Sequence, residues 1–203
     1  MKDLIEQKMN LEITELDVNN LELLKEALNM MNRTQGEGLF NEYYLIKKAN
    51  SSDAIILCAF LNNKLVSVGG AEIIDNFEYY KPFENNIVER LKGKKVGSLS
   101  TLCVREDLQG KGIGQTMIKK YLDWLKNRRC DLVLGVSWSS GLSHTSNRVF
   151  QKLGFRAIKE VKEFYKEDAI KHPFDCPGCK TQPCVCAAVL YEYHFKESDC
   201  YSA

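Results

Sequence analysis

Four cysteines stand close together near the C-terminus, in the stretch CPGCKTQPCVC, as Cys176, Cys179, Cys184 and Cys186. Thiolates at this spacing suit a tetrahedral Zn²⁺ site with metal–sulfur distances of about 2.3 Å. Four thiolates complete the coordination shell, so such a zinc ion would be structural and would leave no open position for a reacting group. The pattern therefore predicts a structural zinc site.

Other interpretations of the cysteine cluster stay open. An iron centre takes the same tetrahedral geometry. A redox Cys-x-x-Cys site would need a helix that begins on the motif, which the stretch from Lys180 to Pro183 disfavours. Free thiols or an incidental disulfide are a further alternative, and His172 could serve as a substitute ligand.

A glycine-rich turn, QGKGIG, is the second motif with chemical potential, and it covers Gln109 to Gly114. Glycines let backbone N–H groups approach an anion, and the start of a helix adds unpaired donors and partial positive charge. Lys111 adds a mobile cation. The turn therefore predicts a pyrophosphate site, although its spacing matches neither the dinucleotide fingerprint nor the P-loop.

Hydrophobic spacing predicts the elements that position these motifs. The adjacent glycines Gly69 and Gly70 predict a bulge or a close backbone approach in the third strand. The predicted strands cover residues 11–16, 54–61, 64–74, 96–104, 131–137, 156–165 and 187–195, and the predicted helices cover 20–31, 37–48, 113–126 and 145–153.

Length and composition exclude several classes of protein. The chain of 203 residues suits one domain, predicted over residues 1–203 with a cysteine-rich insertion at about 172–186. Its 28 basic and 27 acidic residues give a net charge of +1, which argues against a nucleic-acid partner. No apolar run approaches the roughly 20 residues of a membrane span, so no membrane partner is expected. Because the N-terminus lacks a signal-peptide core, we expect a cytoplasmic protein.

Two segments of the sequence resemble the GNAT acetyltransferase superfamily. VREDLQGKGIG, from Val104 to Gly114, resembles its acetyl-CoA signature, Val-x-x-x-x-Arg/Gln-Gly-x-Gly-Ile/Ala-Gly. FQKLGF, from Phe150 to Phe155, is similar to its Tyr-x-Lys-x-Gly-Phe ending. The predicted order of strands and helices also agrees with that family across most of the chain.

The resemblance implies a mixed α/β fold with a mostly antiparallel central sheet, flanking helices and one splayed pair of parallel strands. It implies acetyl-CoA as co-substrate, with the pantetheine along the strand that ends at Val104. The implied cofactor-binding residues are Leu102, Cys103 and Val104 for the pantetheine, Gln109, Gly110, Lys111, Gly112, Ile113 and Gly114 for the pyrophosphate, and Phe150.

The residues usual for catalysis in this superfamily are missing from two positions. Phe150 stands where many members have a tyrosine that acts as general acid. Ser98, Ser100 and Thr101 stand where many members have a glutamate that acts as general base.

Three other side chains are candidate catalytic groups. Glu72 lies in an apolar strand and could act as a base, directly or through water. His144 has a pKa suited to an acid or a base. Tyr80, or its neighbour Tyr79, could line the acceptor groove. Each has a structural alternative: a solvent-facing carboxylate, a loop histidine and a packing aromatic.

The resemblance implies a primary amine as acceptor, on a small molecule or a peptide. It also places the cysteine-rich insertion beside the acceptor groove, where zinc would hold a substrate-facing loop. A homodimer through Tyr191 to Phe195 is a further expectation. Because the usual acid and base are missing, a non-catalytic acyl-CoA-binding domain and a zinc-stapled interaction domain stay open as alternatives.

Overall fold

A seven-stranded sheet forms the centre of the molecule in the computed structural model, which describes residues 10–140 and 146–195. The strands lie in the order β1-β2-β3-β4-β5-β7-β6. They are β1 Leu11–Glu15, β2 Ala54–Leu61, β3 Lys64–Ile74, β4 Val96–Val104, β5 Leu132–Ser139, β6 Arg156–Val161 and β7 Ala187–His194.

Helices flank both faces of this sheet. Asn20 and Asn41 cap the first two helices, because their side-chain oxygens accept hydrogen bonds from the backbone N–H groups of Leu23 and Tyr44. Short 3₁₀ turns cover Glu78–Tyr80 and Glu106–Leu108. The α-helices are α1 Leu21–Gln35, α2 Glu42–Ala49, α3 Ile87–Leu91, α4 Ile113–Asn127, α5 Asn147–Lys152 and α6 Lys166–Lys171.

All neighbouring strands are antiparallel except β4 and β5, which pair in parallel. The parallel pairing runs from Val96 opposite Leu132 to Leu99 opposite Gly135, and then stops. This arrangement confirms the predicted fold class, a mixed and mostly antiparallel sheet with flanking helices and one parallel pair.

The two faces of the sheet bury separate apolar cores. On one face, here called the α4 face, Met117 and Tyr121 of α4 pack with Phe150 of α5 against the sheet. On the opposite face, here called the α1 face, α1, α2 and α3 cover the sheet with buried residues that include Leu24 and Leu45.

One strand ends earlier than hydrophobic alternation predicts. The prediction extends it to Tyr165, but β6 ends at Val161, and α6 follows without having been predicted. The reason is a turn at Glu163, which has a φ of +52°. That turn allows the ring of Phe164 to pack on Phe83, at a centroid distance of 4.6 Å.

None of the helices in the described ranges combines the length and the apolar character that a membrane crossing requires.

Candidate active site

A gap opens between β4 and β5 beyond the Leu99–Gly135 pair. From there β4 continues along β3, while β5 continues along β7 as far as Ser139 opposite Ala187. A bulge in β4 accompanies the divergence, since Gly70 pairs with Thr101 and the next residue pairs with Leu99, which leaves Ser100 as the extra residue. The predicted splay of this parallel pair is therefore present.

The backbone of β4 directs polar groups into the gap. Arg105 N–H donates to the Val66 carbonyl on β3, at 2.9 Å. Because antiparallel pairing alternates, Cys103 also faces β3, whereas Leu102 and Val104 direct their N–H and C=O groups toward the gap. The family resemblance implied all three residues at the pantetheine, and the backbone groups of two of them, Leu102 and Val104, face the gap.

Side chains from neighbouring elements already occupy the two carbonyls. The Leu102 carbonyl accepts from Gln35 Nε2 at 3.4 Å, and the Val104 carbonyl accepts from Gln109 Nε2 at 3.1 Å. The N–H groups of Leu102 and Val104 are therefore the donors that β4 offers to a ligand in the gap. Burial raises the pKa of Cys103 to about 11, so its thiol stays protonated at neutral pH.

The glycine turn forms the end of this gap. Gly110 and Gly112 have φ values of +76° and +92°, in the left-handed region that glycine adopts without steric cost. The first hydrogen bond of α4 runs from Thr116 N–H to the Gly112 carbonyl, at 3.0 Å. In the described part of the chain, the N–H groups of residues 110–115 donate to no backbone carbonyl. These donors and the exposed Lys111 suit an anion.

Phe150 fills the α4 face beside the start of the gap. A Cβ on Gly135 would lie 2.7 Å from Phe150 Cζ, so the ring occupies the space that a larger residue on β5 would need. The ring also stacks on Tyr191, at a centroid distance of 5.0 Å. Because its side chain has no hydroxyl, Phe150 cannot act as a general acid.

Glu72 lies on the α1 face of β3, half-buried and ion-paired with Lys48 of α2. Its cross-strand partner on β4 is Ser98, and residues in this relationship have Cβ atoms about 5 Å apart. Glu72 also lines a cavity of about 420 Å³ between α2 and the strands, together with Tyr43, Tyr44 and Asp53.

Tyr80 joins this group of polar side chains through Ser98. The hydroxyl of the buried Tyr80 lies 2.9 Å from Ser98 Oγ, within hydrogen-bonding distance. Burial raises the pKa of Tyr80 to about 12, so its phenol is protonated at neutral pH. Burial also raises the pKa of Tyr44, whose ring lies beneath the Lys48 ammonium at 5.9 Å.

The sequence predicted Glu72 and Tyr80 separately, and the structure brings them together. It did not indicate Ser98, Tyr44 or Lys48 as their partners, because those contacts depend on strand register and on helix docking. His144 lies between residues 140 and 146, outside the described residues.

The four predicted metal ligands converge in the connection between α6 and β7. Their sulfur atoms all lie within 4.8 Å of one another, with 3.7 Å between Cys176 and Cys186 and 3.8 Å between Cys179 and Cys184. A tetrahedral site with metal–sulfur distances of about 2.3 Å has sulfur–sulfur edges of about 3.8 Å. The cluster therefore has the dimensions of a four-thiolate metal site.

The environment of the cluster favours a thiolate at Cys179, whereas burial raises the pKa of Cys184 and raises that of Cys186 to about 11. Burial opposes ionisation of Cys179, but hydrogen bonds from Thr181 and from the backbone outweigh it and lower the pKa of Cys179 to about 6. The Thr181 hydroxyl donates to Cys179 Sγ at 3.1 Å. Trp138 and Tyr165 pack against the cluster and shield it from solvent.

A sequence profile described as "Acetyltransferase (GNAT) family" matches residues 21–155. The chain therefore belongs to the GNAT acetyltransferase family. The matched range contains the gap between β4 and β5, the glycine turn, Glu72 and Tyr80, and it ends before the cysteine cluster. The comparison with curated proteins finds no similar sequence.

Solved structures share the fold at low sequence identity. A GNAT family acetyltransferase from Elizabethkingia anophelis with acetyl-CoA bound has a TM-score of 0.59 at 15% identity, over 92% of this chain and 99% of the other. Polyamine N-acetyltransferase from Drosophila melanogaster has a TM-score of 0.63 at 15% identity, over 91% and 100%. The ribosomal-protein-S18-alanine N-acetyltransferase from Escherichia coli has a TM-score of 0.60 at 12% identity, over 91% and 93%.

Proposed function

We propose that the protein is an N-acetyltransferase that moves an acetyl group from acetyl-CoA to a primary amine. The observation that carries this proposal is the row of backbone N–H groups at residues 110–115, which donate to no backbone carbonyl of the described residues and follow the gap between β4 and β5. Such donors at a helix N-terminus suit the pyrophosphate of a coenzyme. Acetyl-CoA is bound in the related structure from Elizabethkingia anophelis.

In this proposal the pantetheine occupies the gap. The N–H groups of Leu102 and Val104 bond to it, and the thioester lies near the bulge at Ser100. The amine nitrogen attacks the thioester carbonyl carbon, a C–N bond forms and the C–S bond breaks. Polarisation of the carbonyl by a backbone N–H stabilises the charge that develops on its oxygen.

Two protons must move during this reaction. We assign the proton that leaves the amine to Glu72, directly or through a water molecule. We assign Tyr80 as the proton donor for the leaving thiolate, since its raised pKa keeps the phenol protonated. Positioning of the two reactants supplies a further part of the rate.

The acceptor is proposed to be a primary amine on a small molecule or a peptide. Among the related structures, one is named for polyamines and another for the alanine of a ribosomal protein, so both kinds of acceptor occur on this fold. Polyamines and peptides that begin with alanine are therefore the first acceptors to screen.

Thermal unfolding with and without acetyl-CoA tests the cofactor assignment. At about 100 times Kd, binding stabilises the folded state by about 2.7 kcal/mol. For a chain of this length we expect Tm to rise by roughly 5–10 °C. Release of CoA thiol is then measured across a panel of amines. Absence of a Tm shift on metal-loaded protein contradicts the proposal.

A non-catalytic acyl-CoA-binding domain is the second candidate function. It is favoured by Phe150, which provides no hydroxyl, and by Lys48, which neutralises the charge of Glu72. Turnover separates the two functions: acetyl-CoA binding without acetylation of any amine in the panel supports the second.

We also propose that the four cysteines hold a structural zinc ion in a cytoplasmic protein. Thiolate ligands must stay reduced, which is the condition of cysteines in the cytoplasm. Protein purified without chelator should contain close to one equivalent of zinc, and less than about 0.2 equivalents would contradict a structural site.

A further inference from the structure

The cysteine loop, defined here as residues 172–186, contacts two other parts of the chain. We propose that metal bound by this loop holds the α1–α2 connection, residues 36–41, beside the gap between β4 and β5. Metal occupancy would then control binding of the acceptor while leaving binding of acetyl-CoA unchanged. The effect on acceptor binding rests on the proposed acetyltransferase function. The structural coupling between the metal and the α1–α2 connection can be measured without that assumption.

The first contact joins the cysteine loop to the α1–α2 connection. Glu37 and Asp175 form a short antiparallel bridge, in which each N–H donates to the other's carbonyl at 3.2 Å. Next to it, Phe174 packs against Gly36 so closely that a Cβ on the glycine would lie 2.5 Å from Phe174 Cδ2. Both contacts are within two residues of Cys176, so the position of this ligand fixes the position of the bridge.

The second contact joins the cysteine loop to the end of β5. Gly178 lies between two of the ligands, and a Cβ there would lie 2.4 Å from Trp138 Cζ2 and 2.3 Å from Ser140 Cβ. Gln182 Nε2 donates to Asp175 Oδ1 at 2.6 Å, which ties the second half of the loop to the first. The loop therefore links β5, one edge of the gap, to the α1–α2 connection.

The α1–α2 connection begins at the other edge of the gap. Gln35, its immediate neighbour, donates to the Leu102 carbonyl of β4. On the α4 face, side chains such as Met117 and Phe150 fill the space beside the sheet. The cavity beside Glu72 lies on the α1 face and is lined by Leu39 and Asn41 of the α1–α2 connection, so an acceptor bound there would contact this connection.

The cysteine loop has little regular secondary structure to hold its shape without a metal. Apart from the bridge at Asp175, the described residues 172–186 contain neither helix nor strand, and four of their side chains are the sulfur ligands. Without metal–sulfur bonds, the loop is held by sulfur–sulfur contacts of 3.7 Å between Cys176 and Cys186 and 3.8 Å between Cys179 and Cys184, which are weak. Loss of the metal should therefore release the loop by local unfolding and break the bridge to Glu37.

Loss of the metal should leave the conformation of the glycine turn unchanged. Residues 110–115 are fixed by Gln109 on the Val104 carbonyl and by the start of α4, and no described contact joins them to residues 172–186. Loss of the metal should therefore affect binding of the acceptor and leave binding of acetyl-CoA unchanged.

Cobalt-loaded full-length protein provides the test, because Co²⁺ bound by four thiolates has a strong visible absorption. Amide hydrogen exchange is followed before and after removal of the metal with EDTA, and acetyl-CoA binding is measured by calorimetry. On metal removal we expect exchange of the Glu37 amide to rise about tenfold or more, while Kd for acetyl-CoA changes less than about twofold.

Two variants separate metal binding from docking. Cys184→Ser should lose the cobalt absorption and raise exchange at Glu37. Gly36→Ala should keep the cobalt absorption and still raise exchange at Glu37, since its methyl group displaces Phe174. Cys130→Ala, which changes a cysteine outside the cluster, should alter neither quantity.

Each outcome gives a decision. Unchanged exchange at Glu37 after metal loss overturns the coupling, as does a protein that shows no cobalt–thiolate absorption. A parallel loss of acetyl-CoA affinity overturns the separation of the two substrates. Failure of both metal-loaded and metal-free protein to bind acetyl-CoA contradicts the proposed function, while the exchange data still report whether metal and α1–α2 connection are coupled.

Discussion

The Ser98 hydroxyl on β4 lies 2.9 Å from the Tyr80 hydroxyl, and Ser98 is also the cross-strand partner of Glu72. Ser98 therefore contacts the phenol of Tyr80 and lies beside Glu72 in the strand register, two residues before the bulge at Ser100. The two side chains that we assign to proton transfer are therefore neighbours of the same residue of β4, and substitution of either should affect turnover more than folding.

Glu72→Gln should lower kcat by about 100-fold and leave acetyl-CoA affinity unchanged. A general base contributes a factor of this order, and the amide keeps the shape of the side chain while losing its basicity. Steady-state kinetics and calorimetry measure the two quantities. The control is Glu78→Gln, since Glu78 is also ion-paired with a lysine but lies exposed on a 3₁₀ turn. Equal turnover of the Glu72 variant and wild type would remove Glu72 from the mechanism.

Tyr80→Phe should lower kcat while costing about 1 kcal/mol of the free energy of unfolding, because the Ser98 hydroxyl loses its buried partner. Since the pKa of Tyr80 is about 12, wild-type turnover should show no loss from ionisation of this phenol between pH 7 and about 10. Tyr79→Phe is the control on the neighbouring, half-exposed residue. A kcat that does not change in Tyr80→Phe shows that the phenol has only a packing role.

The glycine turn could be predicted from sequence because its signal is local. A strand, alternating glycines and an amphipathic helix follow one another within about 30 residues, and backbone conformation at Gly110 and Gly112 decides the geometry. The cysteine cluster was equally accessible, since its four ligands fall within one loop whose spacing suits a tetrahedron.

The contacts around Glu72 could not be predicted, because they depend on which residues of separate strands face each other. The extra residue Ser100 shifts the register of β4 against β3, and hydrophobic alternation does not report such a shift. The strand prediction was also wrong at residues 162–165. Phe164 and Tyr165 continue an apolar pattern, but β6 ends at Val161 and the turn at Glu163 follows it.

Gly112→Ala should raise Kd for acetyl-CoA by about tenfold or more, because alanine resists the φ of +92° and reorients the N–H groups that follow it. Titration calorimetry gives the affinity. Gly93→Ala is a matched control, because Gly93 also has a positive φ, of +76°, but lies in the turn after α3. Both variants should lose about 1 kcal/mol of stability, and only Gly112→Ala should lose affinity. Similar Kd values for the two would exclude the turn as the anion site.

Glu192 on β7 should make stability depend on pH in the acid range. Its carboxylate is almost fully buried; burial raises its pKa, but hydrogen bonds from Arg90 and His194 outweigh that effect and hold the pKa below its ordinary value of 4.5. A lowered folded-state pKa contributes stability above pH 4.5 that is lost as pH falls through the folded-state value. Between pH 7 and about pH 3, the free energy of unfolding measured with urea should therefore decline less steeply for Glu192→Gln than for wild type. At pH 7 the variant should lose about 2 kcal/mol of this free energy, because its bond to Arg90 is weaker. Glu163→Gln, at an exposed ion pair, should follow the wild-type curve. Parallel curves for Glu192→Gln and wild type would show that other carboxylates cause the acid dependence.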